Sequence, residues 1–303
     1  MTPRLYLELV LLGAIWGGSF IYTRLLAPNI GVLVTAEMRL LLGGLGLGAW
    51  MLLTRLDGQW GTYWKRYLCL GLLNTAIPFS LFSYAALTLP GSYSAILNSL
   101  APLWGAVFAA LFLGDKLTLR KLAGLALGVI GVAMITRGGP VPVNAATLAA
   151  IGACVAATIC YGLAGVYIKR NLQQARPTAI AGGSQLLAGL LCAPALASGP
   201  ASADYSGMVL LHIAVIGLVC GSVAYLIYYR LMTLAGPVKA LSVTLLIPVF
   251  GMLWGSVFLN ETITAGMLAG SAIVIAGLAL LFTAPPPGAA PRTSQADAAP
   301  GGR

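Results

Sequence analysis

The sequence predicts an all-α polytopic membrane protein with ten transmembrane helices, arranged as two inverted repeats of five. Three observations support this fold class: composition, an internal repeat and a bias of basic residues between alternate loops. Of the 303 residues, 59% are hydrophobic and 8% are charged, whereas a soluble domain carries roughly 25% charged residues. Such a chain cannot cover its surface with polar groups, so lipid is its main solvent.

Ten apolar runs are long enough to cross a bilayer, which takes about 20 mostly apolar residues. The predicted spans are residues 5–24, 33–54, 66–87, 92–113, 119–136, 147–168, 178–198, 207–231, 238–258 and 264–283. Turn pairs such as Pro28-Asn29 and Asp57-Gly58 separate them. Arg4 precedes the first run and no small-residue cleavage site follows it, so we expect an uncleaved first span. Residues 284–303 are rich in Pro, Ala and Gly, which predicts a disordered cytoplasmic tail.

The stretch 102–131 returns as 248–277, at an offset of 146 residues. In this register Pro102, Gly105, Asp115, Thr118, Gly124 and Gly131 meet Pro248, Gly251, Glu261, Thr264, Gly270 and Gly277. Shared Leu and Ala would follow from composition alone, but shared Pro, Gly and carboxylate positions indicate duplication. We therefore expect a first five-helix repeat at 1–140 and a second at 141–283.

Basic residues gather in every second loop. These residues are Arg55, Lys65, Arg66, Lys116, Arg120, Lys121, Lys169, Arg170, Arg176, Arg230 and Lys239. The positive-inside rule then puts both termini in the cytoplasm, in a multi-pass protein of the inner (plasma) membrane. Five spans is an odd number, so the second repeat must be inverted. The inversion agrees with the loss of Lys116, Arg120 and Lys121, whose matches are Thr262, Gly266 and Met267.

The composition also argues against several functions. The net charge of +10 is explained by the basic loops, so no nucleic-acid partner is expected. The five cysteines lie in apolar runs without a CxxC pair, which predicts neither disulfides nor a metal site. A single histidine and no paired acids within the spans predict no cofactor and no enzymatic chemistry. A membrane-embedded lipid-modifying enzyme and a non-transporting scaffold stay open as alternatives.

Specific motifs resemble the drug/metabolite transporter superfamily, and more closely its ten-helix EamA type. They are WGGSF in the first span, Arg39 in the second, and the LGDKLT and LNETIT turns with their trailing glycines. The resemblance implies a secondary transporter, in a family that contains amino-acid and metabolite exporters. The aromatic spans favour the branch of aromatic amino-acid exporters of the YddG type. Asp115 and Asn260 stand where Glu and Gly are commoner in the family's two turns.

The two matched prolines mark the predicted substrate site. Pro102 and Pro248 lie near the middle of spans 4 and 9, where each releases a carbonyl, that of Asn98 or Thr244. Irregular backbone at membrane depth lies in protein or lines a cavity. Broken helices at the interface of inverted repeats are where transporters bind substrates. A plain kink that helps two helices to pack is the alternative.

The predicted substrate-binding residues are prolines, polar groups and aromatic rings around these breaks: Trp16, Arg39, Asn74, Ser80, Tyr84, Asn98, Ser99, Pro102, Tyr161, Tyr225, Ser242, Thr244 and Pro248. The hydroxyl groups have an alternative in bonds to their own helix. Aromatic faces suit an amphiphilic substrate, with the interfacial aromatic belt as the competing role. That belt is expected to hold Tyr6, Trp60, Tyr63, Trp64 and Tyr67.

Charged side chains within the spans and in the two matched turns are few, and each suggests a role. Arg39 is expected either to hold a substrate carboxylate, to reach toward the interface or to pair with Glu37. Asp115 and Glu261 are expected to favour the positive end of the next helix. No acid lies in the middle of a span, which favours facilitated movement down a gradient, or a coupling that uses no buried carboxylate.

The predicted function is therefore export of amino acids or related small amphiphilic metabolites by alternating access, aromatic amino acids among them. The alternative within transport is efflux of cationic drugs or metabolites. The expected partners are the small-molecule substrate and the lipid bilayer. The oligomeric state stays open, and a monomer fits the sequence.

Overall fold

The structure is a computed structural model that describes residues 1–282, with residues 237 and 238 described in their backbone alone. Within this range ten helices are long and apolar enough to cross a membrane, and no strand is present. In chain order, α1 to α10 are Pro3–Ile30, Val32–Leu53, Trp60–Ala85, Gly91–Leu113, Leu119–Gly138, Ala145–Asn171, Pro177–Ser198, Gly207–Ala235, Lys239–Leu259 and Ala265–Phe282. All ten predicted spans are confirmed, and the predicted tail lies outside the described residues.

The ends of the helices differ from the prediction in two places. The first helix continues through Pro28 and ends at Ile30, before Gly31, whose φ of 95° only glycine adopts easily. A proline near a helix end disturbs few hydrogen bonds, so the predicted turn at Pro28-Asn29 is wrong. The third helix begins at Trp60, before the predicted residue 66. Its first turns bury Tyr67 completely against the second repeat, so Tyr67 is not a belt residue.

The fourth and ninth helices are each interrupted where the prolines predict a break. In α4 an α-helical piece at Gly91–Asn98 is followed by another at Ala101–Leu113. In α9 a 3₁₀ turn at Ser242–Leu245 precedes the α-helical piece Ile247–Leu259. The two breaks touch each other, because the Ser99 hydroxyl donates a hydrogen bond to the Thr244 carbonyl at 3.3 Å. The carbonyl that the proline of α9 releases is thus satisfied by the broken helix of the other repeat.

Two π-helical segments also occupy matched positions in the repeats. One lies at Leu72–Ala76 inside α3 and the other at Val215–Val223 inside α8. Shifting the first by 146 residues gives 218–222, which falls within the second. Such π-bulges are rare and frequently lie at functional sites. The sequence pattern contained no signal for them.

Side-chain contacts near the helix ends mark the two sides of the bundle. Where α1 begins, Glu8 pairs with Arg230 near the end of α8 at 3.2 Å. On the other side, the Asn29 amide donates to the carbonyl of Asp204 at 3.3 Å. We call the side of Glu8, where α1 begins and α10 ends, the terminal side, and the other the opposite side.

Threonines begin the fifth and tenth helices. The Lys121 N–H donates to the Thr118 hydroxyl at 3.4 Å, and the Met267 N–H donates to the Thr264 hydroxyl at 3.2 Å. Both are N-caps, which satisfy helix donors that have no partner within the helix. This explains why a threonine recurs in both turns. The expectation that Glu261 serves the next helix is wrong, since its carboxylate has the other partner described below.

Helices α5 and α10 pack along a seam of glycines. A Cβ on Gly124 would lie 2.7 Å from the carbonyl oxygen of Gly277, and a Cβ on Gly131 would lie 2.8 Å from that of Gly270. Small residues let membrane helices approach closely, where van der Waals contacts replace the hydrophobic effect. The glycines shared by the two repeats therefore meet each other in the fold.

Replacing Gly124 by Ala is expected to destabilise the protein by roughly 1–3 kcal/mol, as overpacking of a filled interface does. The measurement is the midpoint of thermal unfolding in detergent. Gly152→Ala is the matched control, because a Cβ at Gly152 has nothing within 4 Å. A lower midpoint for Gly124→Ala alone supports the seam, and equal midpoints for the two variants contradict it.

Candidate functional site

A cavity of about 330 Å³ lies between the two repeats, next to both broken helices. Its walls come from α1 to α4 in the first repeat and from α6, α8 and α9 in the second. Sites for small ligands occupy roughly 300–1,000 Å³. The volume therefore suits one small metabolite.

Aromatic rings form much of the wall. The Trp16 ring lies 5.6 Å from that of Tyr225 and 5.3 Å from that of Tyr228. Phe82 stacks on Tyr161 at 6.3 Å. The Trp16 indole N–H donates to the carbonyl of Cys220 at 3.3 Å, which fixes the ring between α1 and the π segment of α8. These rings present apolar faces and polar edges to whatever enters the cavity.

Besides the tyrosine hydroxyls of the wall, three polar side chains reach the cavity without a protein hydrogen-bond partner among the described residues. They belong to Arg39 on α2, Asn74 in the π segment of α3, and Asn98 at the break of α4. The Arg39 guanidinium lies 4.0 Å from the centre of the Phe79 ring, and its buried Nε has no acceptor. A buried donor without a partner is costly. The site therefore offers one cation, two amides and the tyrosine hydroxyls of the wall to a ligand.

The described wall contains no Asp, Glu or His. The Arg39 charge is therefore not balanced within the cavity. No ion pair joins Arg39 to Glu37 in the described part of the chain, and Glu37 is only 2% exposed, outside the cavity. The pairing considered for Arg39 is wrong. Residues that are two positions apart on a helix point about 200° apart around its axis. The side chains of Glu37 and Arg39 therefore leave α2 in different directions.

Eight of the thirteen predicted site residues line the cavity. They are Trp16, Arg39, Asn74, Asn98, Pro102, Tyr161, Tyr225 and Thr244. The fold brings them together from seven helices of both repeats. Their role as substrate ligands stays a prediction.

The other five do not line it. Tyr84 is 45% exposed, because it points away from the helix face that carries Phe82. Ser80 donates to the carbonyl four residues back at 2.8 Å, and Ser242 to the carbonyl three residues back at 2.6 Å. Ser99 is buried in the contact between the two breaks. Pro248 is buried in the first turn of its helical piece and shapes the backbone instead of the wall.

Several lining residues were not predicted: Ser19, Phe20, Phe79, Phe82, Tyr228 and Tyr229. A helical signal was present for some of them. Phe20 follows Trp16 by four residues. Tyr228 and Tyr229 follow Tyr225 by three and four residues, and residues at these spacings lie on the same face of a helix. Phe79 and Phe82 have no polar side-chain atom, so the sequence does not distinguish them from lipid-facing residues.

Comparison with known proteins agrees with this architecture. The model of the EamA-like transporter family matches residues 4–137 and again residues 148–283. The chain is 27% identical to the "Uncharacterized transporter YvbV" of Bacillus subtilis (strain 168), over 92% of both chains. It is 24% identical to "Protein PecM" of Dickeya dadantii (strain 3937), over 88% of both.

A solved crystal structure with 18% sequence identity has the same fold, with a TM-score of 0.64 over 92% of this chain and 95% of that one. The names of these relatives give no substrate. They therefore do not show whether this chain belongs to the branch of aromatic amino-acid exporters or to another branch. The two family matches together cover nearly the whole chain, and the fold is that of a multi-pass membrane transporter. The chain therefore belongs to the EamA-like transporter family, within the drug/metabolite transporter superfamily.

Proposed function

We propose that this transporter exports amino acids or related small amphiphilic metabolites, aromatic amino acids among them. The observation that carries the proposal is the unpaired Arg39 guanidinium in an aromatic cavity without an acidic side chain in its described wall. A cation held away from water needs an anionic partner. A substrate carboxylate supplies one, and the planar guanidinium binds it with two parallel hydrogen bonds.

The rest of the cavity fits the remainder of such a substrate. The faces of Trp16, Tyr225 and Tyr228 attract an ammonium group through their ring electrons. The side-chain oxygens of Asn74 and Asn98 accept its hydrogen bonds. Apolar walls accommodate an aromatic or aliphatic side chain. A zwitterion thus finds a partner for each of its groups.

The alternative of cationic drug efflux is less well supported. A carrier of cations needs a negative group on the path, and the described cavity wall has none. The fixed charge of Arg39 would repel such substrates. Membership of a transporter family leaves no basis for the enzyme alternative.

Movement through the membrane follows an alternating-access cycle in this proposal. The cavity touches both interrupted helices, where loosened backbone permits bending. It extends from Phe82 toward the terminal side, where Ile168 and Leu241 line it. The loops on that side carry most of the basic residues, which supports placing the terminal side on the cytoplasmic face of the inner membrane. The cavity then takes up its substrate from the cell interior.

The test is an uptake screen in proteoliposomes with twenty amino acids, their decarboxylated amines and a cationic dye, with and without a pH gradient. Amino acids are expected to compete with each other for uptake. The amines and the dye are expected not to compete with them. Transport of the dye alone would overturn the proposal.

The pH gradient is expected to change the initial rate by less than about twofold, since no acid or histidine lines the described cavity. Glu37→Gln is the control, because Glu37 is the buried acid nearest to Arg39 along α2. A strong acceleration by the gradient that Glu37→Gln abolishes would show that the carrier is proton-coupled.

A further inference from the structure

The two matched turns have the same backbone. Gly114 and Asn260 both adopt left-handed conformations, with φ of 74° and 51°. The Asp115 N–H then donates to the Ala109 carbonyl at 3.3 Å, and the Glu261 N–H donates to the matching Gly255 carbonyl at 3.0 Å. The duplication therefore built the same turn at each side of the bundle, with a carboxylate at the same place.

The two carboxylates have different partners. Glu261 accepts the Gly91 N–H at 2.7 Å and the Ser92 N–H at 2.9 Å. These N–H groups lie in the first turn of α4, where they have no acceptor within the helix. The N-cap residue Pro90 makes no side-chain hydrogen bond to them. The Asp115 side chain makes no hydrogen bond or ion pair within the described residues. The turn at Glu261 is thus tied to the start of α4 by a charged contact that the matched turn at Asp115 lacks.

The sequence of the first repeat departs from this contact at three matched positions. Its carboxylate is Asp, which is one methylene shorter than Glu261. Gly255 leaves room for the Glu261 carboxylate, since a Cβ there would overlap Oε2, and its match Ala109 carries a Cβ. Gly91 donates one of the two hydrogen bonds, and its match Pro237 has no N–H to donate. Each departure weakens the same contact on the terminal side.

The packing around the breaks shows the same asymmetry. On the opposite side a Cβ on Gly251 would overlap the Cβ of Ala95, so α4 and α9 are in close contact there. A Cβ on the matching Gly105 would have nothing within 4 Å, and Gly105 lines the cavity. The bundle is therefore closed at the side of Glu261 and more open at the side of Asp115.

We propose that Glu261 is a positioning residue that latches the start of α4 and sets the resting conformation of the carrier, closed on the opposite side and open on the terminal side. The matched Asp115 forms no equivalent latch. Its side chain is shorter, the Cβ of Ala109 occupies the space that Gly255 leaves free, and Pro237 has no N–H to donate. The conformation open to the terminal side is thus favoured without substrate. This inference rests on the proposed alternating access and holds for any substrate.

Hydrogen–deuterium exchange of the full chain in lipid nanodiscs, without substrate, tests the latch. In Glu261→Gln, exchange in residues 91–98 is expected to rise about tenfold or more, because bonds to a charged acceptor are the strong ones. Exchange in residues 239–245 is expected to fall as the terminal side closes more often. Asp115→Asn, the matched control, is expected to change neither segment by more than about twofold.

Gly255→Ala tests the latch without removing a charge, since its Cβ displaces the carboxylate and copies the first repeat. It is expected to act in the same direction as Glu261→Gln. Ala109→Gly is its control and should leave residues 91–98 unchanged. Equal effects of Glu261→Gln and Asp115→Asn, or faster exchange in every helix, would overturn the proposal. Because the measurement contains no substrate, a failed uptake screen would leave it standing.

Discussion

Replacing Arg39 by Gln is expected to raise the KM for amino acids about 10–100-fold, because a hydrogen bond to a charged group contributes about 1.5–3 kcal/mol and each 1.4 kcal/mol is tenfold. The guanidinium is placed by Phe79 and has no acceptor for its Nε in the structure. A substrate carboxylate is the partner that the variant loses. The measurement is initial uptake against substrate concentration in proteoliposomes.

Two comparisons make this result specific to the carboxylate. Arg39→Lys keeps the charge but loses the planar pair of donors, so we expect an intermediate KM. Arg137→Gln removes a charge at the end of α5, outside the cavity, and should leave the KM unchanged. If Arg39→Gln has the same effect on a transported amine without a carboxylate as on amino acids, Arg39 does not bind that group.

Replacing Trp16 by Ala is expected to lower kcat/KM about tenfold for aromatic amino acids. Its ring contacts two tyrosines of the cavity wall, and such aromatic pairs contribute about 0.5–1.5 kcal/mol each beyond the buried area. The loss opens the wall between α1 and α8. Trp16→Phe restores a ring and is expected to recover much of the activity.

Trp254 is the matched control for this variant. Its indole N–H donates to the Ala14 carbonyl at 3.0 Å, so it joins α9 to α1 much as Trp16 joins α8 to α1, but it does not line the cavity. Trp254→Ala is expected to lower the unfolding temperature without a change in substrate preference. Similar changes in preference for both variants would remove Trp16 from the substrate site.

The membrane class, the ten spans and the two breaks were predictable because each rests on local chemistry. Apolar length decides whether a helix crosses a bilayer, and a proline removes a hydrogen bond wherever it stands in a helix. The breaks at Pro102 and Pro248 in turn led to Asn98 and Thr244, both of which line the cavity.

Helix rotation decided which other residues lie in the site. Tyr84 had a polar tip and an aromatic ring, like Tyr161, but only Tyr161 points inward. An apolar helix in lipid carries no amphipathic pattern that would reveal its inner face. Phe82 and Phe79 therefore looked the same as lipid-facing residues until the packing of neighbouring helices was known.

The sequence by itself determined that this chain is a duplicated, inverted ten-helix membrane protein with interrupted helices at its centre. Only the tertiary structure decided that Arg39 lies unpaired in an aromatic cavity, and that Glu261 holds α4 while Asp115 holds nothing among the described residues. The reason is physical. Periodicity, proline and charge act along the chain, whereas the partner of a buried charge lies on another helix, at a distance that no local pattern records.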